Sequence, residues 1–100
     1  MEDKTAEYAE IFYENIKAHG TDFEAGIAME ECAELIQAIS KVRRYGFVGK
    51  YRDNLLEEIA DVDIVLTELT MMFDVDPDEF FDIRDRKVQR IRKRLEDKRL

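Results

Sequence analysis

Two stretches decide the fold: residues 31–41, with the sequence ECAELIQAISK, and residues 54–69, with the sequence NLLEEIADVDIVLTEL. Their apolar residues recur at intervals of three and four, which is the period of an α-helix and not of a strand. On a helical wheel, these residues cover more than the arc of about 100° that one packing face needs. Both stretches are therefore predicted to be long helices that bury more than one side.

Each of the two helices carries a pair of carboxylates within or beside its apolar arc. Glu31 and Glu34 form the first pair, and Glu58 and Asp61 form the second. Residues three apart lie on one face of a helix, and an antiparallel arrangement would bring the two pairs together. Two unit charges about 4 Å apart repel by roughly 4 kcal/mol at an effective dielectric near 20. Four acids at a packed seam therefore predict a bound cation.

A solvated acidic face is the ordinary interpretation of one such pair, but two inset pairs favour a divalent metal site. We call the predicted metal-binding residues Glu31, Glu34, Glu58 and Asp61 the quartet. The neighbouring Glu30 and Glu57 point to the polar sides of their helices and do not belong to it. Carboxylate oxygens are hard ligands, so Mg²⁺ is predicted, with Mn²⁺ as an alternative. A di-iron bundle would use Glu-x-x-His motifs, which these helices lack. His19 is predicted to be a surface residue at a helix end.

Glycine, proline and capping residues divide the chain into four helices, which predicts an all-α fold: a single four-helix domain over residues 1–100. Thr21 with Glu24 resembles a capping box, Asp53 is a plausible N-cap, and Asp76 followed by Pro77 is a further helix start. The predicted helices cover residues 4–18, 21–45, 53–73, and 76 to the C-terminal end.

Composition excludes several classes of protein. The single cysteine, Cys32, cannot form an internal disulfide, and one Cys with one His cannot build a zinc cluster. No run approaches the roughly 18 apolar residues of a membrane span, and the N-terminus lacks the apolar segment of a signal peptide. We therefore expect a cytoplasmic protein with no membrane partner. The net charge of −8 argues against binding to a nucleic-acid polymer.

At this point the residues resemble a known family. The run Glu30-Glu31-Cys32-Ala33-Glu34 followed by Glu58-Ile59-Ala60-Asp61 is similar to the E-E-x-x-E and E-x-x-D signature of MazG-like, all-α nucleoside triphosphate pyrophosphohydrolases. The similarity extends over about residues 22–95, and the ending RKVQRIRKRL resembles the last helix of small, phage-type members. The resemblance implies Mg²⁺-dependent hydrolysis of a nucleoside triphosphate to monophosphate and pyrophosphate. It also implies a role in nucleotide-pool house-cleaning.

The resemblance also implies roles for individual residues. Metal binding and catalysis would fall to the quartet, with Glu34 or Glu30 as candidate general base. Residues 84–100 contain nine Lys or Arg and three Asp or Glu, although cations also complement the dipole at a helix end. The candidate substrate-binding cations are Lys87, Arg90 and Arg94 on the last helix and Lys41 on the second, for which pairing with Glu34 or Gln37 is the simpler interpretation.

Self-association is expected for two reasons. The apolar coverage of the second and third helices exceeds what a four-helix monomer can bury, and members of the family are homodimers or homotetramers. Two alternative functions stay open at this stage: a related all-α pyrophosphohydrolase acting on another substrate, such as phosphoribosyl-ATP, and a helical interaction protein without enzymatic activity.

Overall fold

The computed structural model describes the backbone of residues 2–99 and the side chains of residues 2–98. It contains four α-helices: α1 (Thr5–His19), α2 (Thr21–Tyr45), α3 (Gly49–Met72) and α4 (Pro77–Arg99). The described part of the chain has no strand. The predicted all-α class with four helices is confirmed. Within residues 2–99, no helix combines the length and apolar character that crossing a bilayer requires.

Glycines end the first two helices. Gly20 (φ 90°) and Gly46 (φ 96°) have positive φ angles, which side-chain-bearing residues rarely adopt, and each donates its N–H to a carbonyl four residues earlier, in Ile16 and Val42. The chain can then reverse after a very short connection. As a result α2 and α3 form an antiparallel hairpin, and this pair makes the main helix–helix contact of the molecule.

The hairpin has a small core. Its buried apolar residues are Ala28, Ala38 and Val65, and Ala38 is completely inaccessible to solvent. A small side chain at this position lets the two helix backbones approach closely. Helix α1 packs less extensively against both α2 and α3.

Two buried acids fix α1 to the hairpin. The Asn15 side-chain amide donates a 2.8 Å hydrogen bond to Glu68, which is only 4% exposed. His19 Nδ1 lies 3.0 Å from a carboxylate oxygen of the buried Glu24 and 3.0 Å from the Asn15 carbonyl, so this ring nitrogen must carry the proton. His19 is otherwise half exposed at the end of α1, as predicted.

One predicted helix start and one predicted cap are wrong. Helix α3 begins at Gly49, not near Asp53, which lies inside the helix and forms a 3.0 Å salt bridge with Arg52. Helix α2 begins at Thr21, as predicted, but its N-cap is Gly20, so no side chain caps it among the described residues. Glu24 contacts His19 and forms no capping box with Thr21. The start of α4 is correct: Asp76 Oδ1 accepts a 3.1 Å hydrogen bond from the Asp78 N–H, with Pro77 as the first helical residue.

The predicted bundle is not closed within one chain. Among the described residues, α4 packs against none of the other three helices. The apolar stripe expected to face inward, Val88, Ile91 and Leu95, remains about half exposed. The radius of gyration is 16.9 Å, against about 13 Å for a compact domain of this length. The accessible surface is 8435 Å², against about 5,900 Å² for a folded monomer of this mass.

Candidate metal centre

The antiparallel hairpin brings the predicted carboxylates of α2 and α3 together. Carboxylate oxygens of Glu31, Glu34 and Glu58 all lie within 4.8 Å of one another. Asp61 is the neighbour of Glu31 across the helix pair, as Glu34 is of Glu58. We call these four residues the carboxylate cluster.

The register of the hairpin explains this arrangement. In an antiparallel pair, moving three residues forward on one helix is matched by moving three residues back on the other. The pairs Glu31–Asp61 and Glu34–Glu58 follow this rule, so the i,i+3 spacing on each helix becomes two facing rows. Glu30 and Glu57 are exposed on the outer sides, as the helical wheel predicts.

Burial and repulsion perturb two of the acids. The pKa of Glu31 is raised above its usual range by burial first, and then by the negative charges of Asp61, Glu34 and Glu58. The pKa of Glu58 is raised by burial and then by the charges of Glu34 and Asp61. Each acid would gain a hydrogen bond across the helix pair when protonated.

Two oxygens of the cluster lack a partner. Oε2 of Glu31 and Oε2 of Glu58 are buried and accept no hydrogen bond from any described residue. A buried carboxylate oxygen without a donor is costly, and a hard cation would satisfy both oxygens together. Glu34 and Asp61 are more exposed and leave the cluster open to solvent on one side. The donor set therefore fits Mg²⁺ or Mn²⁺.

The predicted substrate-binding cations are not brought to this cluster within one chain. Lys87, Arg90 and Arg94 are exposed on α4, which does not pack against the hairpin. Lys41 lies on α2 beyond Glu34, and among the described residues it forms no salt bridge; it instead lines a cavity near the end of the hairpin. The predicted pairing of Lys41 with Glu34 or Gln37 is therefore absent from the part of the chain that the structure describes.

Sequence reasoning missed part of that cavity. Its wall includes Arg44, Tyr45, Lys50, Tyr51 and Asn54. The available signal was charge: residues 35–56 contain five Lys or Arg and a single acid, Asp53, in a chain whose net charge is −8. Cations at the end of α2 are expected from the helix dipole alone, so they give no separate signal of a grouping with Lys50.

Comparison with known proteins does not assign the chain. No protein-family model, no curated protein and no solved structure gives a significant match.

Proposed function

We propose that this protein is a Mg²⁺-dependent nucleoside triphosphate pyrophosphohydrolase, which converts a (d)NTP and water to a (d)NMP and pyrophosphate. The observation that carries the proposal is the pair of buried, unpartnered oxygens of Glu31 and Glu58 in a group of carboxylates within 4.8 Å. The substrate class follows from the resemblance of the quartet to the MazG-like signature. A reducing cytoplasm, in which Cys32 stays a thiol, is the compartment that this function implies.

The four acids have separate tasks in this proposal. Glu31, Glu34 and Glu58 supply oxygens to the metal, and Asp61 completes the set beside Glu31. When bound, Mg²⁺ offsets phosphate charge and lowers the pKa of water. Glu34 is more exposed than the other two metal-binding glutamates, so we assign its free oxygen to accept the proton of the attacking water. Glu30 lies outside the cluster and is the weaker candidate for that role.

The reaction can be followed by its two products. We expect monophosphate and pyrophosphate to form when the protein is incubated with canonical, deoxy and modified triphosphates and Mg²⁺, and not when Mg²⁺ is chelated. Glu31→Gln and Asp61→Asn should each lower the rate by more than about 100-fold, because even changes behind a metal's own ligands cost 10–100-fold. Glu57→Gln, with the same change in charge next to Glu58, should keep the wild-type rate.

The assay also separates the alternatives. Turnover of phosphoribosyl-ATP but of no nucleoside triphosphate would show that the protein is a related pyrophosphohydrolase with another substrate. No turnover of any substrate by folded wild-type protein, or full activity in Glu31→Gln, would contradict the proposal.

We further propose that the functional form is a homodimer or a homotetramer. One chain exposes about 2,500 Å² more than a folded monomer of its mass. That excess is of the size that each subunit buries in a large obligate interface. Helix α4 is the element with the least packing in the single chain, so association is the route by which its cations could reach a carboxylate cluster.

A further inference from the structure

A cavity of about 440 Å³ lies at the end of the hairpin where α2 passes into α3. Lys41 and Arg44 of α2 and Lys50 of α3 bring three positive charges to its wall. Its other lining residues are Tyr45, Tyr51 and Asn54. We call it the basic cavity; it shares no residue with the carboxylate cluster.

The positive charge of the basic cavity is uncompensated. Five cations and one acid give residues 35–56 a net charge of +4. That acid, Asp53, is already bound to Arg52 at 3.0 Å. Among the described side chains, Lys41, Arg44 and Lys50 form no salt bridge with a carboxylate. The site therefore attracts anions despite the net negative charge of the chain.

Helix dipoles explain only part of this pattern. Arg43 and Arg44 lie in the last turn of α2, where cations are favoured. Lys50 lies in the first turn of α3, where a cation opposes the helix dipole, and that turn contains no acid. A bound anion would compensate both Lys50 and the positive end of α3. A charged residue at the helix end that its charge disfavours is typical of a functional site.

Two stacked tyrosines lie beside the cations of the basic cavity. The Tyr45 and Tyr51 rings have their centres 4.7 Å apart and are inclined by 21°. The Arg44 guanidinium lies over Tyr45 at 5.6 Å, and the Lys50 ammonium lies over Tyr51 at 5.4 Å. Each ring thus already has a ring and a cation as neighbours. A nucleobase would have to displace one of them, whereas phosphate groups would bind the cations directly.

We propose that the basic cavity binds the β- and γ-phosphates of the substrate, and hence the departing pyrophosphate. This inference rests on the proposed function. Lys41 follows Glu34 by seven residues, and Tyr51 precedes Glu58 by seven. Seven residues are nearly two helical turns, so Lys41 points in nearly the same direction as Glu34 and Tyr51 in nearly the same direction as Glu58, each about 10 Å away along its helix.

The charge balance of the reaction agrees with a carboxylate cluster that acts at the α-phosphorus and a basic cavity that binds the β- and γ-phosphates. Water attacks the α-phosphorus at the carboxylate cluster and gives its proton to Glu34. The bond from that phosphorus to the bridging oxygen breaks, and the pyrophosphate leaves with the electron pair. Lys41, Arg44 and Lys50 stabilise the negative charge that the leaving group gains.

Binding of inorganic pyrophosphate in metal-free, low-salt buffer tests the basic cavity separately from the carboxylate cluster. By titration calorimetry, wild-type protein should bind, and Arg44→Gln and Lys50→Gln should each weaken binding by about tenfold, the loss expected for one charge-assisted contact. Lys50→Arg should restore most of the affinity. Arg43→Gln is the matched control, because Arg43 is exposed beside Arg44 but does not line the cavity.

The outcomes are distinct. Equal affinities for the Arg43→Gln, Arg44→Gln and Lys50→Gln variants would overturn the inference. They would show that pyrophosphate responds to the total positive charge of this segment and not to the cations of the basic cavity. No binding by folded wild-type protein would also overturn it. Pyrophosphate binding that depends on Arg44 and Lys50 supports the basic cavity even if no triphosphate is hydrolysed, a result that would contradict the proposed function alone.

Discussion

At the scale of single residues, the carboxylate cluster opposes folding when no cation is bound. Glu31 has a raised pKa because it is partly buried and faces three other acids. The folded state therefore keeps the Glu31 proton to a higher pH than the unfolded state, whose value is near 4.5. Stability is lost as the pH rises from that value through the raised pKa, and it is unaffected well below it.

Removing this charge should stabilise the metal-free protein. We expect Glu31→Gln to raise the free energy of unfolding by roughly 0.5–1 kcal/mol at pH 8 in chelator, a value reduced for solvent screening. The gain should disappear near pH 4, where Glu31 is protonated in both states. Thermal melts at the two pH values measure it, with Glu57→Gln as the control.

Adding Mg²⁺ should reverse the order of the two proteins. A ligand that binds only the folded state stabilises it, so the melting temperature of the wild type should rise with Mg²⁺ concentration while that of Glu31→Gln stays nearly constant. A wild-type melting temperature that does not change when Mg²⁺ or Mn²⁺ is added would contradict the proposed metal site.

At the scale of the elements, the sequence predicts all four helices, and only the start of α3 is wrong by more than one residue. Gly20 and Gly46 mark real helix ends, because their positive φ angles exclude other residues sterically. Asp53 had the right chemistry for an N-cap, yet α3 starts four residues earlier, after the extended Val48 and with no side-chain cap. Hydrophobic periodicity fixes which face is buried, but it does not distinguish between two acceptable starting points for a helix.

The carboxylate cluster was predictable for a related reason. Helical spacing and a short connection determine which faces meet, and this brings Glu31 to Asp61 and Glu34 to Glu58. The roles of Glu24 and Glu68 were not predictable, because each is buried against a residue of α1 whose position depends on tertiary packing.

The Asn15–Glu68 hydrogen bond supplies the prediction at this scale. Asn15→Ala removes the only described donor to the buried Glu68, so we expect the free energy of unfolding to fall by about 1–3 kcal/mol in urea denaturation. Glu14→Ala, an exposed change on the same helix, should stay within about 0.5 kcal/mol of wild type. Equal midpoints for the two variants would show that the hydrogen bond does not hold α1 in place.

At the scale of the whole molecule, no other helix of the described residues 2–99 packs closely against α4. Periodicity predicts an apolar stripe on α4, but it does not indicate whether the same chain or another one would cover it. Exposed apolar side chains also line grooves between α1 and α3 and between α3 and α4. Large contiguous apolar surfaces are rare on soluble monomers, so a second copy is the expected partner.

Sedimentation equilibrium at micromolar concentration tests this expectation. We expect a dimer or a tetramer for the wild type, because burial of about 2,500 Å² per chain would bring the exposed area to that of an ordinary folded protein. Ile91→Asp places a charge in the half-exposed apolar stripe and should shift the protein towards monomer. Gln89→Asp makes the same change in charge outside the stripe and should keep the wild-type mass. A wild-type monomer, or equal masses for the two variants, would show that α4 does not form the interface.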